Sequence, residues 1–152
     1  MTARRLRSES AGDRFETVRD PGIKAFCPNC WTVVSFSLPA CPRCGADLSA
    51  LSGREYAVKL LGALDHPVTE VRERAALLLG AIAGPEAYEP LRRRARSSLD
   101  PFVAAAALQG LFTLLQRHPS LPAVDWRSFM SPERPFLVRI AAEEILATEG
   151  GE

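Results

Sequence analysis

The sequence has few of the residues and motifs that characterise catalytic sites. Its 152 residues include only two histidines and four cysteines, with no HExxH motif, Gly-rich phosphate loop or Ser in a nucleophile elbow. Lys and Arg total 19 and Asp and Glu total 18, so no excess charge favours nucleic acid or a membrane surface. We therefore expect a protein that is not an enzyme.

Long hydrophobic runs are also missing. The charged N-terminus, MTARRLRSESAGDRFE, has no apolar stretch behind it, and the longest apolar run, Ala75–Gly84, is about half as long as a membrane span. The hydrophobic share of 47% still fits a folded chain with one domain, or one domain plus a small module. These features predict a cytoplasmic protein that makes no contact with a membrane.

The four cysteines form two matched pairs, Cys27-Pro-Asn-Cys30 and Cys41-Pro-Arg-Cys44, which ten residues separate. Each Cys-Pro-x-Cys turn can direct two thiolates at one ion, and two such turns complete the four-sulfur shell that zinc favours. Because the protein fills every coordination position, the metal is expected to stabilise the fold and not to catalyse. Iron on the same ligands, buried thiols without a metal, and a redox dithiol are the alternatives.

The cysteine segment resembles a short zinc ribbon, including the length of the spacer between the pairs. It departs from that pattern at Trp31, where a glycine often follows the first pair, so the first turn is expected to differ in conformation. The aromatic and β-branched residues of the spacer, 31–38, predict a short hairpin between the pairs.

From residue 52 onward the composition shifts to Ala, Leu, Arg and Glu, and apolar residues recur at helical spacing. The pattern predicts a mainly α fold, with helices over 53–64, 67–83, 86–97, 101–116, 123–130 and 133–148. Asp100-Pro101 and Ser131-Pro132 are predicted to open the fourth and sixth of these helices. The expected organisation is a flexible segment over 1–22, a zinc ribbon over 23–50 and a helical repeat domain over 51–149.

The second, fourth and sixth predicted helices share a pattern that begins at Val71, Val103 and Val138. These positions are about 32 and about 35 residues apart, a period typical of stacked helical hairpins. The stretch Leu64-Asp65-His66-Pro67 through Leu79-Gly80 resembles a HEAT-like repeat, and the resemblance covers about 53–148. A helical bundle without a true repeat is the alternative.

The resemblance to HEAT-like repeats also implies a ladder of ion pairs between successive repeats. An Asp before the turn and an Arg after the Val would form it. The residues at those positions are Asp65, Asp100, Arg72 and Arg139. Ala104 stands where the middle repeat would need an arginine, so the ladder is expected to be interrupted there.

Basic side chains concentrate on the third predicted helix and could extend onto the second as a positive stripe. They are Arg92, Arg93, Arg94 and Arg96, with Arg72 and Arg74 on the preceding helix. Such a stripe suits a phosphate backbone or an acidic protein segment, whereas the alternative is a solvated face of an Arg-rich protein.

The sequence leads to three hypotheses for function. The first is a non-catalytic protein-binding or scaffold module with a structural zinc ion. The second is a nucleic-acid-binding protein that uses the basic helix face, Arg92–Arg96, together with the ribbon. The third, an accessory factor similar to the pigment-attachment lyases that some short HEAT-like proteins resemble, lacks a free cysteine nucleophile because all four cysteines are assigned to the metal.

Overall fold

The structure, a computed structural model, describes residues 24–35 and 37–151, apart from the side chains of Ala50 and Ser52. The segment 1–22, expected to be flexible, lies outside the described residues. The chain divides into two compact units, the first ending at Leu51 and the second beginning at Ser52.

The first unit contains one antiparallel hairpin, in which β1 (Lys24–Phe26) pairs with β2 (Val33–Ser35). The register places Ala25 opposite Val34, and both side chains are buried. The prediction of a hairpin contained within 31–38 was wrong, because only β2 comes from that segment. The first cysteine turn is itself the reversal between the strands, so the partner strand must precede Cys27.

The second unit is helical, and the prediction of a mainly α fold is confirmed. Its five α-helices are α1 (Arg54–Ala63), α2 (Thr69–Ile82), α3 (Tyr88–Ser97), α4 (Pro101–Arg117) and α5 (Phe136–Glu149). Short 3₁₀ segments cover Ser49–Ser52, Pro85–Ala87 and Trp126–Met130. The α-helix predicted over 123–130 is therefore a 3₁₀ segment.

Helix α4 begins where the sequence predicts. The side chain of Asp100 accepts hydrogen bonds from the backbone N–H groups of Phe102 and Val103, so it caps the helix. Pro101 occupies the first helical position, where its missing N–H removes no intrahelical hydrogen bond.

Helix α5 begins three residues later than predicted, at Phe136. Ser131 does not cap it, because the chain first makes a turn in which the Arg134 N–H donates to the Ser131 carbonyl over 2.9 Å. Pro135 disfavours a helical conformation at the residue before it, so the helix cannot extend back through Arg134. The Pro135 carbonyl instead accepts from the first turn of α5.

The helices pack as hairpins that stack on one another. Helix α2 packs against α4, and α4 packs against α5. On these three helices lie α1, α3 and the Trp126–Met130 segment, against α2, α4 and α5 respectively. Helix α4 is central, which explains its nearly continuous apolar sequence. No helix among the described residues combines the length and apolar character that a bilayer crossing requires.

The expected ladder forms between the first two repeats. The guanidinium of Arg72 lies 3.1 Å from the carboxylate of Asp100, which also accepts from the Thr69 hydroxyl over 2.8 Å. Asp65 instead pairs with Arg94 on α3. Arg139 lies over the ring of Phe136, 5.9 Å from its centroid.

Candidate metal centre

The first cysteine turn is closed by the backbone on both sides. The Cys27 N–H donates to the Thr32 carbonyl over 2.8 Å, and the Trp31 N–H donates to the Cys27 carbonyl over 2.9 Å. Pairing of Phe26 with Val33 holds the base of the turn. The chain therefore returns on itself tightly enough to bring Cys30 beside Cys27.

The second cysteine turn repeats this pattern at the same spacing. The Cys41 N–H donates to the Ala46 carbonyl over 2.9 Å, and the Gly45 N–H donates to the Cys41 carbonyl over 2.9 Å. An isolated antiparallel bridge between Ala40 and Asp47 stands where Phe26 and Val33 pair in the first turn. Two copies of one local structure therefore face each other across the four sulfurs.

The residue after each cysteine pair adopts the left-handed conformation. Gly45 has φ of 74°, which glycine adopts at no steric cost, and Trp31 has φ of 58°. The prediction that Trp31 gives the first turn a different conformation was therefore wrong. The Trp31 ring packs against Phe26 with 5.4 Å between centroids, and this contact offsets part of the steric cost.

All four Sγ atoms lie within 4.8 Å of one another. Two pairs of sulfurs join the two turns, with Cys27 Sγ 3.6 Å from Cys44 Sγ and Cys30 Sγ 3.8 Å from Cys41 Sγ. These distances are far longer than a disulfide bond of about 2.05 Å, but they match the edge of about 3.8 Å in a tetrahedron with metal–sulfur bonds of about 2.3 Å. The cysteines fit one four-coordinate metal ion, and no other residue type is needed to complete the shell.

Hydrogen bonds to the sulfurs favour the thiolate form that a metal ion requires. The Asn29 side chain and then the Ala46 N–H lower the pKa of Cys44 to about 6, and the Cys44 N–H lowers the pKa of Cys41. The Thr32 N–H also acts to lower the pKa of Cys30, but burial and the three neighbouring thiols together raise it to about 11. Four thiols this close cannot all ionise without a cation among them.

The sulfur cluster is covered unevenly. Cys27 and Cys41 are buried, Cys30 is half-buried and Cys44 is exposed. Cys44 therefore lies on the open side of the site, where Asn29 contributes a side-chain hydrogen bond. Asn29 is a supporting residue that the spacing of the cysteines does not reveal, although its place inside the first Cys-Pro-x-Cys turn puts it next to the sulfurs.

The structure does not gather the six predicted arginines into one free stripe. Arg72 pairs with Asp100, Arg94 with Asp65, and Arg92 with Glu89 over 3.4 Å. These carboxylates neutralise half of the predicted set.

The other three arginines differ among themselves. Arg74 lies near the carboxyl group of Glu73. Burial raises the pKa of that carboxyl, and the positive charge of Arg74 acts to lower it. Arg93 and Arg96 are exposed on α3 and have no carboxylate partner among the described residues. The free positive charge of this face is therefore confined to a pair of side chains three residues apart.

Comparison with protein families identifies HEAT repeats over residues 47–111. The match covers α1 to the middle of α4, which includes the Arg72–Asp100 link. Searches of curated protein sequences and of solved structures found no significant match. The chain thus combines a four-cysteine hairpin unit with a helical unit that matches HEAT repeats as far as residue 111, and such repeats typically serve protein interaction.

Proposed function

We propose that this protein is a non-catalytic protein-binding or scaffold module in which one structural zinc ion holds the four-cysteine unit together. The convergence of four sulfurs at tetrahedral distances supports the metal. Zinc is the ion we propose because a shell of four cysteines is typical of structural zinc sites, and iron on the same ligands is the alternative that metal analysis distinguishes. Four protein ligands leave no position for a substrate or an activated water, so the metal supplies folding energy. Paired Cys-x-x-Cys turns suit a reducing compartment, which is why we propose a cytoplasmic location.

The protein-binding role is supported by large apolar side chains that the stacked helices leave exposed. Leu77 on α2 is 44% exposed, Phe102 on α4 is 57% exposed and Phe136 on α5 is 64% exposed. Each of the three helices that pack side by side thus carries one such residue. Contact with a partner protein would remove the apolar surface of these side chains from water, which favours association.

The zinc assignment is tested by metal analysis of the purified chain and of Cys30→Ser and Cys41→Ser. The wild-type chain should carry one zinc ion, and each variant should lose it together with the protection of the β1–β2 amides from hydrogen exchange. Asn29→Ala serves as a matched control that keeps all four ligands, so it should weaken zinc binding by about 10-fold or more at unchanged stoichiometry. One iron ion per chain, or full zinc in Cys30→Ser, would contradict the assignment.

The partner role is tested by affinity capture with the zinc-loaded chain and with a Leu77→Ser, Phe102→Ser, Phe136→Ser variant. A protein captured at a fixed ratio by the wild type, and lost in the variant, supports the proposal. If no protein is captured at a fixed ratio, the proposal is contradicted. A protein captured equally by both chains would contradict the role of these three side chains and place the binding on another surface. Nucleic acid is the second candidate partner, because Arg93 and Arg96 are exposed and pair with no carboxylate in the part of the chain that the structure describes.

A further inference from the structure

An open groove of about 470 Å³ lies at the C-terminal ends of α4 and α5. We call it the α4–α5 groove. The second half of α4, the connection over 118–125 and the last residue of α5 form its walls. Its lining combines apolar side chains with polar atoms and includes Phe112, Leu121, Ala123, Val124, Trp126 and Glu149. Its size suits one or two side chains of a peptide.

Two aromatic rings fix the floor of the α4–α5 groove. Phe112 meets Trp126 edge to face, with ring centroids 5.9 Å apart. Trp126 is only 5% exposed, and its indole N–H donates to the Glu149 carboxylate over 3.0 Å. This hydrogen bond holds an acidic side chain at the edge of an apolar surface.

The charge of Glu149 is not neutralised. It makes no ion pair within the part of the chain that the structure describes. Glu149 is also the last residue of α5, where the helix dipole is negative, and no basic residue lies in that last turn. By contrast, α3 has Arg94 and Arg96 in its last turn and α4 has Arg117. This end of the groove therefore favours a cation that the fold itself does not provide.

The connection that borders the groove also has unused hydrogen-bond donors. Residues 122–125 form no helix, strand or turn. The backbone N–H groups of Ala123 and Val124 have no acceptor among the described residues. A peptide lying along this border could accept hydrogen bonds from them through its own carbonyl groups.

We propose that the α4–α5 groove binds a short extended segment of a partner protein, in which an apolar side chain directly adjoins a lysine or arginine. The apolar side chain contacts the Phe112–Trp126 floor, and the cation lies against Glu149. The partner backbone accepts from Ala123 and Val124. This inference rests on the proposed protein-binding function and adds the chemistry of the segment that is bound.

The chain has two tryptophans, so each indole N–H gives a separate signal. Trp126 lines the groove and reports on binding, whereas Trp31 is not a lining residue and serves as the internal control. The probes are acetylated and amidated hexapeptides SGLKGS, SGLQGS and SGLEGS, added to the zinc-loaded, ¹⁵N-labelled full chain. SGLKGS should shift the Trp126 indole signal saturably without moving that of Trp31, and it should bind more tightly than SGLEGS.

Glu149→Gln keeps an acceptor for the Trp126 indole but removes the charge. It should weaken SGLKGS binding about threefold and leave SGLQGS binding unchanged. Glu143→Gln on the same helix is the matched control and should change neither. Ala123→Arg, at an exposed position of the border, should abolish binding of every peptide by filling the groove.

Equal affinity for SGLKGS and SGLEGS, or the same SGLKGS affinity in Glu149→Gln, would overturn the proposal. Shifts that do not saturate, or that survive Ala123→Arg, would overturn it as well. If capture of a partner still depends on Leu77, Phe102 and Phe136 while no peptide binds, the groove inference fails and the proposed function stands. If peptides bind but no protein is captured, the groove inference stands and the partner role assigned to Leu77, Phe102 and Phe136 fails.

Discussion

Asp100 joins the first two repeats through one side chain. It caps α4 while it accepts hydrogen bonds from Thr69 and Arg72 of the preceding repeat. Burial acts to raise the pKa of Asp100, but the Thr69 hydroxyl, the α4 N–H groups and Arg72 together lower it below its ordinary value. The ionised form is thus favoured in the folded state.

Because the folded-state pKa of Asp100 is lowered, its contribution to stability is complete above the unfolded value of about 3.9 and is lost as pH falls through the folded value. Asp100→Asn keeps the cap and loses the charge, so it should cost about 1 kcal/mol at pH 7, whereas Asp100→Ala should cost about 2 kcal/mol. Denaturant unfolding followed by the helical circular dichroism signal measures both. The difference between wild type and Asp100→Asn should be constant above about pH 5 and shrink in acid; a difference that grows in acid would contradict this assignment.

Gly45 is the residue at which backbone conformation matters most to the metal centre. A methyl group there would meet nothing within 4 Å, so the cost of Gly45→Ala is due to φ of 74° alone. We expect about 1 kcal/mol, which is about fivefold weaker zinc affinity in competition with a chelator. Gly45→Asn should cost less, because asparagine adopts the left-handed region more readily. Equal zinc affinity in wild type and Gly45→Ala would show that this conformation is not required.

At the scale of elements, α2 and α4 cross at two glycines. A methyl group on Gly80 would overlap the Gly110 carbonyl oxygen, with the Gly110 Cα at 2.6 Å, and a methyl group on Gly110 would overlap the Ala76 carbonyl oxygen. These obstacles are backbone atoms, which cannot rotate away. The two helix axes can approach this closely only because both positions lack a side chain.

Gly80→Ala and Gly110→Ala should each destabilise the helical unit by about 3 kcal/mol, despite the better helix propensity of alanine. Gly62→Ala on α1 is the control, since a methyl group there meets nothing within 4 Å. It should leave stability unchanged or raise it by up to about 1 kcal/mol. Thermal unfolding of the three variants provides the comparison, and a similar response at Gly62 and Gly80 would argue against a tight crossing.

How far the sequence predicts an element depends on whether its determinants are local. Asp100-Pro101 specifies the start of α4 by itself, so that prediction is confirmed. The start of α5 was misplaced because Ser131-Pro132 satisfies the same rule, while Pro135 and the turn before it decide the outcome. No local pattern in the sequence marks Gly110 as important, because its role is to let another helix cross close to it.

At the scale of the whole molecule, the two predicted sites also differ in whether their determinants are local. The cysteine cluster depends on short turns, and the arginine stripe depends on residues far apart in the sequence. The four cysteines could be identified as one cluster because each pair lies within a single turn and the spacer is short. The arginine stripe could not be assessed in the same way. Its pairing depends on Asp65 and Asp100, which lie 29 and 28 residues from Arg94 and Arg72 along the chain.

The remaining charge sets a quantitative limit on nucleic-acid binding. The chain as a whole carries a net charge of +1, and only Arg93 and Arg96 of the predicted stripe are exposed without carboxylates among the described residues. Each phosphate contact contributes about −0.9 to the slope of log affinity against log salt concentration on duplex DNA. Two contacts therefore predict a slope near −1.8, far from the values of proteins with 6–10 phosphate contacts.

Binding of labelled duplex DNA and single-stranded RNA at about 50 and 200 mM salt measures this slope. The wild-type chain should bind weakly, with a slope no steeper than about −2. The double variant Arg93→Ala, Arg96→Ala should bind with almost no salt dependence. Arg72→Ala is the matched control, because its guanidinium already pairs with Asp100, so the slope should not change. A slope of about −6 that falls in the Arg93, Arg96 variant would require basic side chains beyond the described pair, and would make nucleic acid the principal partner.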